Sequence, residues 1–246
     1  MNQEVLNFYL ANRSCVYTPP KLPEGLSTLE AARWIMSNPD FAWLELDLKI
    51  PELTNECAAA EKYYVPHREG ESQGWDSCCI HGIRTDTTQN WPEYVEYETD
   101  DIYKWTELSN EVPLTTQFWK SYPSEKFKRV RFMKLAPGGY IAPHSDAPGR
   151  GYIPGEPLDY DPLELGCPIN IALIHPGDCH MVLEGFGKVP FAAGKAFLIN
   201  IRHVHAVVNF SSYERVHMIG FGVYGNKKEE FAEMIVRSYN KQYEYN

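Results

Sequence analysis

The chain has 246 residues, of which 43% are hydrophobic and 23% are charged, and its formal net charge at pH 7 is −10. These proportions are ordinary for a folded domain with a sizeable core, and they exclude a disordered or collagen-like chain. The negative charge disfavours nucleic acid as a partner, because the short stretch 126–131 is the one basic run in the sequence. We expect that run to be a strand with one solvated face.

Targeting signals and disulfide patterns do not stand out in the sequence. Residues 1–17 lack the charged and then apolar order of a secretory signal, and no apolar run approaches the length that spans a bilayer. The six cysteines show neither CxxC nor disulfide-framework spacing. We therefore expect a cytoplasmic protein in a reducing compartment, with no membrane partner.

The first part of the chain predicts two helices around one strand. Residues 27–40 predict a helix, in which Ser27 and Glu30 have capping-box spacing. Residues 42–50 alternate apolar and other residues, which predicts a half-buried strand. Residues 51–64 predict a second helix with a proline at its start.

From about residue 74 the sequence predicts many short strands separated by turns, such as Pro137-Gly138-Gly139. The predicted strands are 75–83, 128–144, 167–174, 179–186, 195–201, 205–210 and 214–224. Short strands at this spacing are typical of a β-barrel or β-sandwich.

The end of the chain predicts an amphipathic helix over 226–245, where Asn226 and Glu229 again have capping-box spacing. We expect three parts in the chain. They are an N-terminal α/β segment that supports the barrel (1–73), the β core (74–225) and the C-terminal helix (226–246).

One long irregular segment, 147–168, contains five prolines and four glycines. Loops of this length inside a compact domain are usually functional or disordered. Because the segment begins directly after a His-x-Asp sequence, we expect it to be a lid or a pocket wall.

His144 and Asp146 lie two residues apart at the end of a predicted strand, so their side chains share one face. A second histidine would complete the two-histidine, one-carboxylate ligand set of non-haem Fe(II) oxygenases. His203 and His205 both qualify, and strand periodicity does not choose between them. The motif alone is explained at least as well by a hydrogen-bonded His–Asp pair without a metal.

Arg215 follows His205 by ten residues and lies on the next predicted strand. An arginine there is placed to reach the same cavity and to hold a carboxylate with its guanidinium group. The sequence around the candidate ligands therefore suggests a metal site with an adjacent carboxylate site.

The stretches 131–146 and 205–219 resemble the aspartyl/asparaginyl β-hydroxylase family of Fe(II)/2-oxoglutarate-dependent dioxygenases, which includes proline cis-hydroxylases. The resemblance extends over residues 74–224. It implies a mainly β fold with flanking helices, a double-stranded β-helix or cupin-like jelly roll. It also implies an enzyme that uses Fe(II), 2-oxoglutarate and O2 to hydroxylate an unactivated C–H bond of an amino acid, a small metabolite or a peptidyl Asp or Asn.

The same resemblance implies roles for individual residues. It makes His144, Asp146 and His205 the iron ligands, and the step to Arg215 selects His205 over His203. It makes Arg215 the anchor for the distal carboxylate of 2-oxoglutarate.

Other positions agree with the family pattern only in part. Asn209 matches the His-x-x-x-Asn of the family and is expected behind the ligands, while His217 either approaches the cavity or packs in the core. Pro168 and Asn170 stand where family members often have Arg-x-His. That departure puts the second contact to 2-oxoglutarate in doubt, since Asn170 can offer only an uncharged hydrogen bond.

Substrate residues are harder to select. Arg131, Trp75 and Arg84 are the candidates, and a surface position in the basic run is the alternative for Arg131. Tyr140 and Tyr152 are further candidates for the pocket mouth.

Two other function classes remain open. One is a non-catalytic cupin-like module that binds a metal or ligand. The other is an isomerase or hydrolase that uses another divalent metal in the same ligand set. Arg215 distinguishes them from the oxygenase, because a simple metal-binding cupin needs no carboxylate anchor at that spacing.

Overall fold

The computed structural model describes residues 2–68, 70, 72–88, 102–146, 160–165 and 167–243. In these ranges an antiparallel sheet of eleven strands curls into a half-barrel, and helices cover its outer face. No helix within the described ranges is long and apolar enough to cross a membrane.

The elements follow one another along the chain with short connections. The helices are α1 (Gln3–Asn12), α2 (Thr28–Ser37), α3 (Cys57–Ala60), α4 (Leu108–Glu111), α5 (Pro113–Ser121), α6 (Pro162–Leu165) and α7 (Lys228–Tyr243). The strands are β1 (Trp43–Glu45), β2 (Val65–Pro66), β3 (Ser72–Gly82), β4 (Lys104–Trp105), β5 (Lys126–His144), β6 (Ile169–Ile174), β7 (Cys179–Leu183), β8 (Gly187–Lys188), β9 (Ala196–Ile199), β10 (His205–Asn209) and β11 (Arg215–Val223).

Strand β5 organises the sheet. The strand order is β1-β9-β6-β11-β5-β10-β7-β8, and β3 joins β2 and β4 to β5. One edge of β5 pairs with β3. The other edge pairs first with β11 and then with β10. This change of partner bends the sheet and makes its inner face concave.

The turn predicted at residues 137–139 is wrong, because β5 runs through it. The register against β3 shifts there: Trp75 pairs with Leu135 and Gln73 pairs with Tyr140. These pairs are two residues apart in β3 but five apart in β5. The extra residues form an irregularity that bends the strand without ending it.

Two glycines permit this bend. Gly138 has φ +70°, a conformation that favours glycine. At Gly139 a Cβ atom would lie 2.8 Å from the carbonyl oxygens of both Ala136 and Gln73. The Pro-Gly-Gly sequence therefore does indicate an unusual backbone conformation. It marks a bend within β5, between the part that pairs with β11 and the part that pairs with β10, and not a turn that ends the strand.

Apolar clusters cover both faces of the sheet. Ile35 of α2, Phe231 of α7 and Met218 of β11 belong to the cluster beneath the helices. Leu135 and Val207 belong to the cluster on the inner face. The inner face also carries the candidate site.

The predicted helix at 27–40 is confirmed, and so is its capping box. Ser27 accepts a hydrogen bond from the backbone of Glu30, and the Glu30 carboxylate accepts one from the backbone of Ser27 at 2.8 Å. The predicted second helix is interrupted, because 3-10 turns at Thr54–Glu56 and Glu61–Tyr63 flank the short α3.

The strand predicted at 42–50 is too long. Strand β1 ends at Glu45, and the backbone N–H of Asp47 donates to the Ser238 hydroxyl of α7 at 2.8 Å. At Asp47 the backbone N–H thus hydrogen-bonds to a helix and no longer to a neighbouring strand. The alternating sequence pattern does not show this change of partner.

The capping box predicted for the last helix is wrong. A 3-10 turn at Gly225–Lys227 precedes α7, and the backbone N–H of Asn226 donates to the carboxylate of Glu125 at 2.7 Å. The capping box would pair the backbone N–H of Asn226 with the Glu229 carboxylate. In the structure the distant Glu125 accepts this hydrogen bond instead. The three-part division of the chain stays a prediction, although β1 pairs with β9 and α2 packs on α7.

Candidate metal centre

Strands β5 and β10 bring two histidines together on the inner face. His205 pairs in register with His144, and their ring centroids lie 4.4 Å apart. Relative to β10, β5 has one extra residue between Ile141 and His144. This β-bulge returns His144 to the face that carries Ile141 and Val207, which ordinary alternation would not do.

Each histidine is held by a backbone carbonyl. Nδ1 of His144 lies 2.7 Å from the carbonyl oxygen of Ala142, and Nδ1 of His205 lies 2.9 Å from that of His203. Because a carbonyl only accepts, each Nδ1 carries a proton, and Nε2 is the nitrogen of each ring that remains to face a metal. Burial, with His144 nearby, lowers the pKa of His205 to about 4, so its ring is neutral at pH 7. The ring of His205 is thus in the form that binds metals.

Asp146 completes a group of three ligands. Its Oδ2 lies 3.6 Å from Nε2 of His144, and the ligand atoms of His144, Asp146 and His205 all lie within 4.8 Å of one another. Three ligands on one face of an ion stand about 3 Å apart at metal–ligand distances of about 2.1 Å. Small side-chain rotations therefore fit this group to an ion such as Fe(II).

The carboxylate of Asp146 is kept ionised. Burial raises the pKa of Asp146, but the approach of His144 and the charge of Arg68 outweigh it and hold this pKa well below its ordinary value. The backbone N–H of Asp146 donates to the carbonyl of Ile201 at 2.9 Å, which ties the end of β5 to the segment before β10.

His203 does not join this group. Its Nε2 lies 3.0 Å from the carbonyl oxygen of Phe41, and its ring packs against Phe186 at 4.4 Å between centroids. The structure thus brings His144, Asp146 and His205 together, and it leaves out the histidine that periodicity could not separate from His205.

Arg215 begins β11 and is 3% exposed. Its Nη2 donates to Nδ1 of His217 at 2.7 Å, and no carboxylate within the described ranges forms an ion pair with it. A buried guanidinium without an anionic partner is unfavourable. The arrangement therefore suits an anionic ligand at Arg215.

His217 links Arg215 to two further side chains. His217 is fully buried; its Nδ1 lies 2.8 Å from Oδ1 of Asn170, and its Nε2 lies 2.9 Å from Nδ1 of His175. Because arginine only donates, Nδ1 of His217 accepts and its Nε2 carries the proton shared with His175. An Asn170 amide turned to present its nitrogen to His217 agrees with this assignment.

Asn209 ends β10 and is fully buried. Its amide donates to the carbonyls of Ala136 at 3.0 Å and Tyr213 at 2.8 Å, and its oxygen accepts from the Ser211 hydroxyl at 2.7 Å. Asn209 thus joins the β10–β11 turn to the bend of β5.

The substrate candidates lie in different places. Arg131 is 8% exposed and donates to the Thr88 carbonyl at 2.8 Å, so it is not a surface residue of the basic run. Trp75 shares the face of Arg215, because both residues pair with Leu135 from opposite edges of β5. Arg84 is exposed and forms an ion pair with Asp86 at 3.1 Å.

Other predictions fall elsewhere. Tyr140 packs with Val208 beneath α1, on the opposite face of the sheet, so its prediction as a pocket residue is wrong. Tyr152 and residues 147–159 of the predicted lid lie outside the described residues.

Arg68 was not predicted from the sequence, but its Nη2 lies 2.9 Å from Oδ1 of Asp146. Gly70 marks a turn nearby, but no local pattern shows that a turn residue reaches Asp146, 78 positions away. Only pairing of β3 with β5 brings the two together.

A concave antiparallel sheet with a His-Asp-His group on its inner face defines a class of protein, the metal-dependent jelly-roll enzymes. The family model for aspartyl/asparaginyl β-hydroxylase matches residues 54–220, which is more than half of the chain. The chain belongs to this family, and it is an Fe(II)/2-oxoglutarate-dependent oxygenase.

Solved structures of similar fold are distant in sequence. A Trichoplax adhaerens prolyl hydroxylase in complex with a hypoxia-inducible-factor peptide is 8% identical, with 82% of this chain and 92% of that chain covered and a TM-score of 0.47. A 2OG-Fe(II) oxygenase from Burkholderia pseudomallei is 14% identical over 82% and 92% of the two chains, with a TM-score of 0.44. No curated protein matches the chain in sequence. The assignment rests on the family model and the site.

Proposed function

We propose that His144, Asp146 and His205 hold Fe(II), that Arg215 binds the distal carboxylate of 2-oxoglutarate, and that the enzyme hydroxylates an amino acid, a small metabolite or a peptidyl Asp or Asn. The observation that carries this proposal is the convergence of three ligand atoms within 4.8 Å on the inner face. Bound Fe(II) supplies the chemistry that couples oxidative decarboxylation of 2-oxoglutarate to hydroxylation of a C–H bond.

The residues of the chain prepare the site for this chemistry. His144, Asp146 and His205 would hold the ion with three protein ligands, so a chelating keto acid and O2 could still bind to it. Two histidine ligands and the single negative charge of Asp146 would leave a divalent ion with residual positive charge, which favours an anionic chelator. The apolar inner face around Leu135 and Val207 limits access of water.

Arg215 is suited to the far end of 2-oxoglutarate. Its guanidinium is buried, and a carboxylate would give it the anionic partner that the described residues do not provide. We assign His217 to orienting Arg215, and we assign Asn170 to an uncharged hydrogen bond at the same end, in direct contact with His217. Asn209 supports the β10–β11 connection that joins His205 to Arg215.

The substrate would lie on the open side of the ligands. Trp75 and Arg131 are our candidates to contact it, since both belong to the β3–β5 part of the inner face. Arg84 has the weakest support, because its charge is exposed and paired with Asp86. We favour a free amino acid or another small molecule over a peptide, and we favour a cytoplasmic location because all six cysteines are free thiols. Nucleic acid is not an expected partner.

The non-catalytic module and the isomerase or hydrolase have less support. Neither explains why Arg215 is buried without an ion pair to any carboxylate of the described residues, and family membership favours the oxygenase.

The test is an anaerobic titration. Fe(II) and then 2-oxoglutarate are added to the metal-free protein, and the visible charge-transfer absorption of the chelate is recorded. We expect the band in the wild type, its loss in His144→Ala, and at least about tenfold weaker binding of 2-oxoglutarate in Arg215→Met, because charge-assisted bonds contribute about 1.5–3 kcal/mol.

His180→Ala is the matched control, because His180 stacks on Tyr9 at 5.7 Å, away from the ligands. A folded wild type that shows no band, or an equal band in His144→Ala, would contradict the proposal. A positive result opens a substrate screen by succinate release.

A further inference from the structure

We propose that Arg68 is a positioning residue for the metal site: it holds one oxygen of Asp146 so that the other oxygen is presented to the metal. This inference rests on the proposed ligand set. The two carboxylate oxygens of Asp146 have different neighbours: Oδ1 is 2.9 Å from Nη2 of Arg68, and Oδ2 is 3.6 Å from Nε2 of His144.

The position of Asp146 explains why such help is needed. Asp146 lies beyond the end of β5, so its backbone is not held by hydrogen bonds to a neighbouring strand. Its backbone contact with Ile201 leaves the side chain free to rotate. The contact with Arg68 restricts that rotation and occupies the oxygen that would otherwise compete for the metal. Outer partners of this kind typically orient carboxylate ligands.

The turn between β2 and β3 is built to present Arg68. Arg68 has φ +50°, the one positive φ of a non-glycine residue within the described ranges. The Ser72 hydroxyl lies 2.9 Å from the carbonyl oxygen of His67 and 3.1 Å from that of Arg68. Strained backbone persists where the surroundings determine it, and it often marks a functional residue.

An aromatic contact supports the same placement. The guanidinium carbon of Arg68 lies 5.9 Å from the centroid of the Trp75 ring, and the His67 ring packs edge-on against Trp75 at 4.3 Å. Trp75 belongs to β3, which pairs along β5. The arginine is therefore located by the sheet that also locates His144.

The sign of the effect on metal affinity separates positioning from simple charge. A guanidinium next to a divalent cation repels it, so charge alone predicts tighter metal binding when Arg68 is removed. Positioning of Asp146 predicts weaker binding in the same variant. The two explanations thus make opposite predictions.

The experiment titrates Co(II), an oxygen-stable substitute for Fe(II), into the metal-free protein and follows its visible absorption. Arg68→Gly is the main variant, because glycine adopts φ +50° without strain and should keep the fold intact. We expect Co(II) to bind about 10–100-fold more weakly in Arg68→Gly, with no loss of thermal stability in the metal-free protein. Arg68→Lys, which keeps a charged donor, should recover part of the affinity.

Two further proteins complete the design. Arg33→Met is the matched control. Arg33, on α2, forms a similar half-buried ion pair with Asp161 at 2.8 Å, and its loss should leave Co(II) binding unchanged. In an Asp146→Ala background, Arg68→Gly should no longer weaken Co(II) binding, because Arg68 acts through Asp146.

The outcomes are distinct. Unchanged or tighter Co(II) binding in Arg68→Gly overturns the role of Arg68, and so does a tenfold loss that persists without Asp146. If the wild type itself does not bind Co(II), or if His144→Ala binds it equally well, the proposed ligand set fails instead.

Discussion

At the residue scale, the buried histidines of this protein are neutral because they lack carboxylate partners strong enough to offset burial. His81 shows this away from the metal centre. It is 7% exposed, and its ring packs against Trp105 at 4.8 Å and Phe127 at 6.1 Å. Burial lowers its pKa to about 4. The same physical effect that keeps His205 available to a metal thus makes the stability of the fold sensitive to acid.

The pH dependence of stability tests this point at His81. The unfolded chain binds a proton at this histidine near pH 6.5, whereas the folded chain resists it until about pH 4. The free energy of unfolding therefore falls as the pH drops through this window. Between pH 7 and pH 5 we expect the free energy of unfolding to fall in both proteins. The fall should be about 2 kcal/mol smaller in His81→Phe than in the wild type.

Urea denaturation of the metal-free proteins at the two pH values measures this difference. The other buried histidines keep their contribution in both proteins, so the comparison isolates His81. Equal losses in the two proteins would show that His81 is already protonated, or already solvated, in the folded state.

At the element scale, β5 positions the candidate site because it pairs with both β10 and β11, which contribute residues to it. Its first half pairs with β11, which supplies Arg215, and its second half pairs with β10, which supplies His205. The bend at 137–139 joins the two halves, and Asn209 ties that bend to the β10–β11 turn. The distance between the candidate metal ligands and the candidate carboxylate anchor thus depends on one irregular stretch of strand.

A pair of glycine substitutions tests the bend. In Gly139→Ala the new Cβ would lie 2.8 Å from two backbone carbonyl oxygens, whereas in Gly138→Ala it would meet nothing within 4 Å. We expect Gly139→Ala to destabilise the protein by about 2–3 kcal/mol, because backbone must move. Gly138→Ala should cost about 1 kcal/mol, from its positive φ alone.

Chemical denaturation of both variants at pH 7 measures these costs, and Co(II) titration shows whether the site moves. We expect weaker metal binding in Gly139→Ala, because His144 lies on the displaced half of β5. Equal stability and equal metal affinity in the two variants would mean that the bend is not sterically determined at Gly139.

At the scale of the whole molecule, the candidate ligands join parts of the fold that are distant in sequence. His144 ends β5, Asp146 follows that strand, His205 begins β10, and their neighbour Arg68 precedes β3. A ligand that binds these groups in the folded state alone must stabilise the whole domain.

Thermal unfolding tests this coupling. With free Co(II) at 100 times its dissociation constant, we expect stabilisation of about 2.7 kcal/mol, which raises the midpoint of unfolding by about 5–10 °C for a chain of this size. Chelation should reverse the shift, and His144→Ala should show none. An equal rise in His144→Ala would place the stabilising metal elsewhere on the protein.

The sequence alone determined those features that depend on neighbouring residues. The capping box of Ser27 and Glu30 spans three positions and was predicted correctly, and most strands of the β core were located from their composition and turns. The prediction that His144 and Asp146 lie together is confirmed, although Asp146 lies beyond the end of β5 and does not share a strand face with His144. Local steric and hydrogen-bonding preferences are sufficient for such predictions.

Tertiary structure alone decided which distant residues meet. Register between β5 and β10 placed His205, and not His203, opposite His144, and the bulge in β5 turned His144 inward. Pairing of β3 with β5 brought Arg68 to Asp146, and Glu125 took the place expected of Glu229 at the last helix. These contacts depend on strand register and on competition between distant partners, because a hydrogen-bonding group takes whichever partner the packed fold brings within reach.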